Sequence, residues 1–307
     1  MTGNRALIIG IGGGSRLAEN TYNMLDADCL IVSTDTADTA YPHPHIRILC
    51  DNMVNPSVES IRASSQEAMD SLYRVMVEYD TVIVLANLAG RTGAAIAPLI
   101  TEMGYKLQNT VISFCIMPFR FEKDRIFNAG VSLHKVQTNS NSLVILDNDS
   151  LLECNPNLTI DECYRVGNDA LESVLASFGR AQLSGQSVVA TGPERNDADE
   201  SLHDAIKMLY ATAPPNSVKR SIIYVSGNIP VGTVEEISKL TAGVTDASVE
   251  IVTEHDDTGV MLVSALSTLG KFEAYDPLND IPTKLDDEYP DGVGVKLFTD
   301  TELYSIE

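Results

Sequence analysis

Two glycine-rich turns hold the residues best suited to chemistry. The first, Gly10-Ile11-Gly12-Gly13-Gly14-Ser15, lies between a strand-like run, Ala6–Ile9, and a helix-like stretch, Ser15–Leu25. The second follows the apolar run Thr81–Ala86 and reads Asn87-Leu88-Ala89-Gly90-Arg91-Thr92-Gly93-Ala94-Ala95-Ile96-Ala97-Pro98. Glycines at a strand-to-helix junction let backbone N–H groups approach an anion, and the following helix dipole favours negative charge. Gly12, Gly13 and Gly14, with Gly90, Arg91, Thr92 and Gly93, are therefore candidate phosphate-binding residues. Two other readings compete. A tight turn needs glycine without any ligand. The first turn also half-matches a dinucleotide-binding oxidoreductase, with Asp35 placed near its ribose carboxylate, although Ser15 stands where the third glycine of G-x-G-x-x-G belongs. Two anion-friendly loops at the carboxyl ends of parallel strands would clamp one polyphosphate, and a simple oxidoreductase needs only one.

The elements around these turns alternate. Cys29–Val32, Thr81–Ala86, Thr110–Ile116 and Leu143–Leu146 read as strands. Pro56–Tyr79, Gly93–Tyr105 and Asp124–Gln137 read as helices, with apolar residues such as Val58, Ile61, Ala68, Leu72 and Val75 at helical spacing. Strand-helix alternation without hairpins predicts an α/β fold with a doubly wound, mostly parallel sheet. Thr159–Phe178 reads as one long helix, opened by a capping box of Thr159 and Glu162. The polar stretch Ser184–Asn196 reads as a boundary. Residues 1–182 then form a nucleotide-binding domain with its central helix, and 183–270 a smaller α+β domain. In the latter, helices at Ala198–Tyr210 and Val234–Leu240 alternate with strands at Ser221–Val225, Ser248–Val252 and Val260–Ser264. Residues 271–307 read as an acidic linker and tail, with one edge strand at Val293–Phe298.

Composition narrows the classes. The 307 residues are 44% hydrophobic, enough for a substantial core, and carry 43 acidic against 21 basic side chains, a formal net charge of −22. So anionic a surface disfavours nucleic acid and anionic lipid as general partners. The most apolar stretch, Thr81–Ile100, is interrupted by Asn87, Gly90, Arg91 and Gly93 and does not read as a membrane span. Five cysteines without C-x-x-C spacing and an N-terminus without a cleavable-signal layout suit a reducing, cytoplasmic setting. His43 and His45 lack an acid or cysteine cluster in register and read as part of an exposed turn, so no metal site is expected.

Taken together, the motifs resemble the tubulin/FtsZ superfamily, in a divergent FtsZ-like, prokaryotic form that an archaeal source would suit. The second turn aligns without a gap on the family signature A-G-M-G-G-G-T-G-T-G-A-A-P, with Ala86, Gly90, Thr92, Gly93, Ala97 and Pro98 matching. Val32-Ser33-Thr34-Asp35 is similar to V-N-T-D, Asn55-Pro56-Ser57-Val58 to A-N-P-E-V, and Pro118-Phe119-Arg120-Phe121-Glu122 to P-F-x-F-E. Ser142 to Leu152 resembles D-S-L-I-x-x-x-N-D-x-L-L, and Tyr164 to Leu171 resembles the central-helix F-x-x-A-N-D-V-L. The resemblance implies GTP or GDP as ligand, Mg²⁺ as its allowed companion, and a cytoskeletal or cell-division role. Tyr164 would stack on guanine, Asn168 and Asp169 would read its edge, and Glu122 would hold the ribose. Self-association or association with other FtsZ-like proteins would follow, with adaptor proteins unspecified.

The phosphate end departs from the family. Arg16 and Leu17 replace a glycine and an asparagine, Arg91 replaces a glycine, Ala94 replaces a hydroxyl, and Asp51 stands in the loop that normally nears the γ-phosphate. The family arginine after the ribose glutamate is Ile126 here, with Lys123 and Arg125 nearby. After Phe178 the acidic N-x-D-x-x-D loop is missing; Asp197 and Asp199 are the nearest acids and are placed to cap the next helix. Asp280-Ile281-Pro282-Thr283-Lys284-Leu285 echoes the family's adaptor-binding tail. The expectation is a GTP-binding protein with weak or absent hydrolysis and no assigned catalytic residue. The alternatives are a nucleotide-free pseudo-GTPase scaffold and an NAD(P)-dependent oxidoreductase.

Overall fold

The computed structural model describes residues 5–36, 42–50, 55–177, 185–192, 198–226, 246–252 and 259–275, with Gly232, Glu235 and Lys239 as isolated positions. Short β-branched runs become strands because both of their faces can be covered by helices, which removes the need for polar alternation. β1 (Ala6–Ile11), β2 (Asp28–Ser33), β3 (His45–Arg47), β4 (Thr81–Asn87), β5 (Thr110–Met117), β6 (Ser142–Asp147) and β7 (Gly185–Thr191) are all parallel, in the order β3-β2-β1-β4-β5-β6-β7. β8 (Val218–Ser226), β9 (Asp246–Val252) and β10 (Gly259–Leu266) extend this sheet to ten strands. β10 inserts antiparallel between β7 and β8, and β9 runs parallel to β8 at the far edge.

The helices are α1 (Ser15–Thr21), α2 (Val58–Ala63), α3 (Gln66–Met76), α4 (Arg91–Lys106), α5 (Lys123–Asn139), α6 (Asn148–Cys154), α7 (Ile160–Ser177), α8 (Ala198–Thr212) and α9 (Gly270–Glu273). α7 opens as its sequence predicts: Thr159 N and Oγ1 both donate to the Glu162 carboxylate, and Glu162 N donates back to Thr159 Oγ1. α4 keeps Pro98 in its interior, which deprives the Ala94 carbonyl of its helical N–H donor. Ser132 Oγ of α5 donates to that carbonyl at 2.7 Å, and the Arg62 guanidinium of α2 at 3.2 Å. Arg62 also reaches the Ala95 carbonyl. Three helices are thus stitched together at one backbone defect.

Four expectations change. Pro56–Tyr79 is two helices, because Ser65 breaks the run by donating both its N–H and its hydroxyl to the Arg62 carbonyl. The stretch Ser184–Asn196 contains β7, whose buried Val188, Val189 and Ala190 are outnumbered in sequence by flanking polar residues. His43 is no exposed turn residue: its ring stands edge-on to Tyr22 at 4.4 Å and its Nε2 lies 2.5 Å from the Glu19 carboxylate, while His45 opens β3. Packing also continues past residue 270, with Phe272 of α9 buried. No group of His, Cys, Asp or Glu that could hold a metal occurs among the described residues. Asp51 with its loop, the segment around Phe178, Asp197, the tail from 276 onward and most of Val234–Leu240 lie outside the described residues.

Candidate crevice at the carboxyl ends of the parallel strands

Strand order reverses between β1 and β4: β2 and β3 lie on one side of the pair, and β5, β6 and β7 on the other. In an open parallel sheet the loops at such a switch point diverge and leave a crevice. Both glycine turns open onto it. Gly12 has φ +50°, a left-handed conformation that glycine adopts without strain. A Cβ on Gly14 would overlap the Leu85 carbonyl of β4, so the loop can press this closely only as glycine. Thr34, just past β2, shares a hydrogen bond with Thr92 of α4 across 2.8 Å, which closes one wall.

Beside that wall is a cavity of about 280 Å³, lined by Thr34, Asn55, Pro56, Ile61, Gly90, Arg91, Thr92 and Arg125. Pockets that bury a drug-sized ligand run to roughly 300–1,000 Å³, so this cavity suits the phosphate end of a nucleotide better than a whole one. Arg91 is exposed at the first position of α4 and makes no hydrogen bond or ion pair with a described residue. Of the two cations beside Ile126, Arg125 is the one that lines the cavity, and it also pairs with Glu122 at 2.6 Å.

The base and sugar candidates come together in part. Glu122 also accepts a hydrogen bond from Phe119 N, which tightens the turn after β5. Phe119 is fully buried, stacks on Phe121 at 5.1 Å and meets Tyr164 edge-on at 5.6 Å. Burial, and after it the Glu122 charge, pushes the Tyr164 phenol above its ordinary value. Asn168, one turn along α7, shares the half-buried Tyr164 face. Asp169 does not join it. Its exposed carboxylate lies 3.4 Å from Arg165 on the neighbouring stripe of the helix.

One residue to which the motifs assign no role stands out. Asn148, immediately after β6, is 1% exposed, yet neither its Oδ1 nor its Nδ2 has a hydrogen-bond partner. A Cβ on Gly167 of α7 would lie 3.6 Å from its Oδ1, which places the amide beneath the helix that carries Tyr164 and Asn168. A buried amide left open costs about 1–3 kcal/mol, and a polar ligand would relieve that cost. The signal in the sequence was a polar residue directly at the end of a buried parallel strand.

Residues 52–156 match the profile described as Tubulin/FtsZ family, GTPase domain. The chain carries a tubulin/FtsZ family domain. Among curated relatives, this FtsZ-like chain is 25% identical over 288 residues to the cell division protein FtsZ of Methanothermobacter thermautotrophicus, covering 83% of this chain and 73% of that protein. It is 27% identical over 173 residues to cell division protein FtsZ 2 of Halobacterium salinarum, spanning 53% of this chain but only 44% of that one. The FtsZ dimer of M. jannaschii superposes with a TM-score of 0.67 at 17% identity, covering 86% and 88% of the two chains. CetZ2 of Haloferax volcanii, in a GTPγS-bound protofilament, gives 0.61 at 19% identity, covering 88% and 96%. These structures share the fold. The matched segment contains the second glycine turn, Gly90–Gly93, and the first lies N-terminal to it.

Proposed function

We propose that this chain binds a guanine nucleotide across the β1/β4 crevice and works in the cytoplasm as a self-associating, FtsZ-like cytoskeletal protein of cell division, with little or no hydrolysis. The observation that carries the reading is that four loops follow the carboxyl ends of the four neighbouring parallel strands β1, β4, β5 and β6: Gly12–Gly14, Gly90–Thr92 (which lines the cavity), Phe119–Glu122 and the Asn148 turn beneath Tyr164 and Asn168. The donor set fits such a ligand. Backbone N–H groups and Arg91 match phosphate oxygens, Glu122 can accept from ribose hydroxyls, and the unpaired Asn148 amide offers both a donor and an acceptor to a base edge. When bound, the nucleotide supplies a hydrolysable phosphoanhydride; the chain's own contribution is to bind and orient it. Any Mg²⁺ would accompany the phosphates.

Weak hydrolysis follows from the sequence after Phe178, where the family's acidic loop is missing. Without a carboxylate to orient water, general-base assistance worth about 10²–10⁴-fold is lost. Head-to-tail surfaces can still propagate assembly, since complementarity and catalysis are separate properties. The test is the nucleotide released on denaturing the purified protein, followed by titration with GDP and ADP. Bound or selectively titrating guanine nucleotide supports the reading, and a protein that takes up neither refutes it. A nucleotide-free scaffold is the second reading, favoured by the pairing of Glu122 with Arg125 and of Asp169 with Arg165 inside the chain.

A further inference from the structure

The segment after β10 returns to the carboxyl end of β6, one of the parallel strands whose loops carry candidate site residues. Lys271 of α9 extends a largely covered side chain, 14% exposed, to the end of β6. Its Nζ lies 2.6 Å from Asp147 Oδ2 and 2.6 Å from Ser150 Oγ, and 3.7 Å from Asp149 Oδ2. Asp147 is fully buried, and its carboxylate also accepts from Asp149 N and Ser150 Oγ. Asp149 in turn accepts from Arg120 N at 2.8 Å, and its Oδ2 lies 3.1 Å from the Arg120 guanidinium. Arg120 sits between Phe119 and Phe121, two residues before Glu122.

Two carboxylates two residues apart in a buried turn repel each other unless cations hold them. Here one cation comes from the turn after β5 and the other from the far end of the described chain. Asn148, with its open amide, is caught between the two carboxylates. We infer that Lys271 is a positioning residue for the candidate nucleotide site: by clamping Asp147, Ser150 and Asp149 it fixes the Asn148 amide and, through Asp149, the Phe119–Glu122 turn. The inference deepens the nucleotide reading and rests on it for one of its two readouts. It makes the segment after β10 part of the site's geometry, and by reciprocity ligand in the crevice must tighten the Lys271 clamp.

A merely structural lysine is separated from a positioning one by the pair Lys271→Met and Lys271→Met/Asp147→Asn, compared with the full wild-type chain. The single variant strands Asp147 as a buried charge and should lower the urea midpoint. The double variant removes that charge and should recover the midpoint. It still leaves Asp149, which accepts from Arg120 N, without its Lys271 contact, so hydrogen exchange of the Phe119–Glu122 amides should remain at least tenfold faster than in wild type. GDP affinity should likewise stay about tenfold weaker. Recovery of the exchange rates together with the midpoint overturns the inference, because Lys271 then only neutralises Asp147. Slow exchange in the single variant overturns it as well. If the wild-type chain binds no nucleotide, the reading of the site fails, but the exchange comparison still decides whether Lys271 holds the turn.

Discussion

Removing Arg62 and Ser132 together should cost more stability than the two single changes combined. Both side chains donate to the Ala94 carbonyl, which Pro98 has deprived of its helical partner and which belongs to a residue only 1% exposed. In Arg62→Met the Ser132 hydroxyl still satisfies that oxygen, and in Ser132→Ala the guanidinium does. At this carbonyl each single change therefore forfeits one net hydrogen bond, about 1 kcal/mol; the Arg62 bond to the Ala95 carbonyl is lost alike in Arg62→Met and in the double variant, and cancels from the comparison. The double variant leaves a buried carbonyl unpaired, which adds about 1–3 kcal/mol of uncompensated desolvation. The expected total is about 4 kcal/mol against a sum of about 2, a coupling of about 2 kcal/mol. Urea unfolding of the four proteins measures it, with the slope checked for constancy across the set. Independent sites add within about 0.3–0.5 kcal/mol, so additivity to that tolerance would refute the claim that one carbonyl links α2, α4 and α5.

If guanine lies against Tyr164, Asn168→Ala should weaken GDP by about 1.5 kcal/mol, roughly tenfold. Asp169→Ala, which removes an exposed pair with Arg165, should change it by less than about 0.5 kcal/mol. Calorimetry that returns the opposite ranking sinks the face assignment. Arg91→Gly should weaken GDP and flatten its salt dependence, because an exposed guanidinium beside the cavity is screened by ions; unchanged binding at low salt means Arg91 faces no phosphate. Hydrogen bonds from the Thr159 backbone, then from its side chain, hold the Glu162 carboxyl below its ordinary value. That stabilisation of the α7 terminus is present above the unfolded carboxylate value, about 4.3, and is lost as pH falls through the lower folded one. A carbon-detected titration of Thr159→Val should find Glu162 raised part of the way back, because the hydroxyl donor is lost and the backbone N–H donor stays. Burial pushes the Cys115 thiol up to about 12, so at pH 8 a maleimide should label the half-exposed Cys50 and spare Cys115; labelling of Cys115 in folded protein would contradict the packing of β5.

The parallel core was legible because a strand covered on both faces leaves an unbroken apolar run, as in Val82–Leu85 or Phe114–Met117. The Thr159/Glu162 cap was legible because it is local, three residues apart. What sequence could not show was long-range or slight. β7 has only a few apolar residues between polar flanks and gains its burial from β6 and β10. The Ser65 break in the helix run after Pro56 turns on one hydroxyl. In the site, the glycine turns announced themselves by residue type. Asn168 and Asp169 differ by about 100° of helix rotation, which sets Asn168 on the half-buried face and Asp169 on the exposed one beside Arg165. Asn148 gave no periodic signal, only its place as a polar residue at the end of a buried strand, and its empty hydrogen-bonding shell is what singles it out. Lys271 pairs across 124 residues, a distance over which residue spacing carries no information.

The place of β10 in the sheet sets a timetable for synthesis. β7 and β8 are both made before the strand that joins them, and neither hydrogen-bonds to the other. From the moment Ser226 is added, about 40 further residues must be polymerised before Leu266 completes the bridging strand; at about 5–20 residues per second this takes roughly 2–8 s. Through that interval the growing chain carries two unsatisfied edges, each able to capture a strand from a neighbouring nascent chain on the same message. The order of strands therefore makes the synthesis of the roughly 40 residues between Ser226 and Leu266 the period in which these edges stand open to capture.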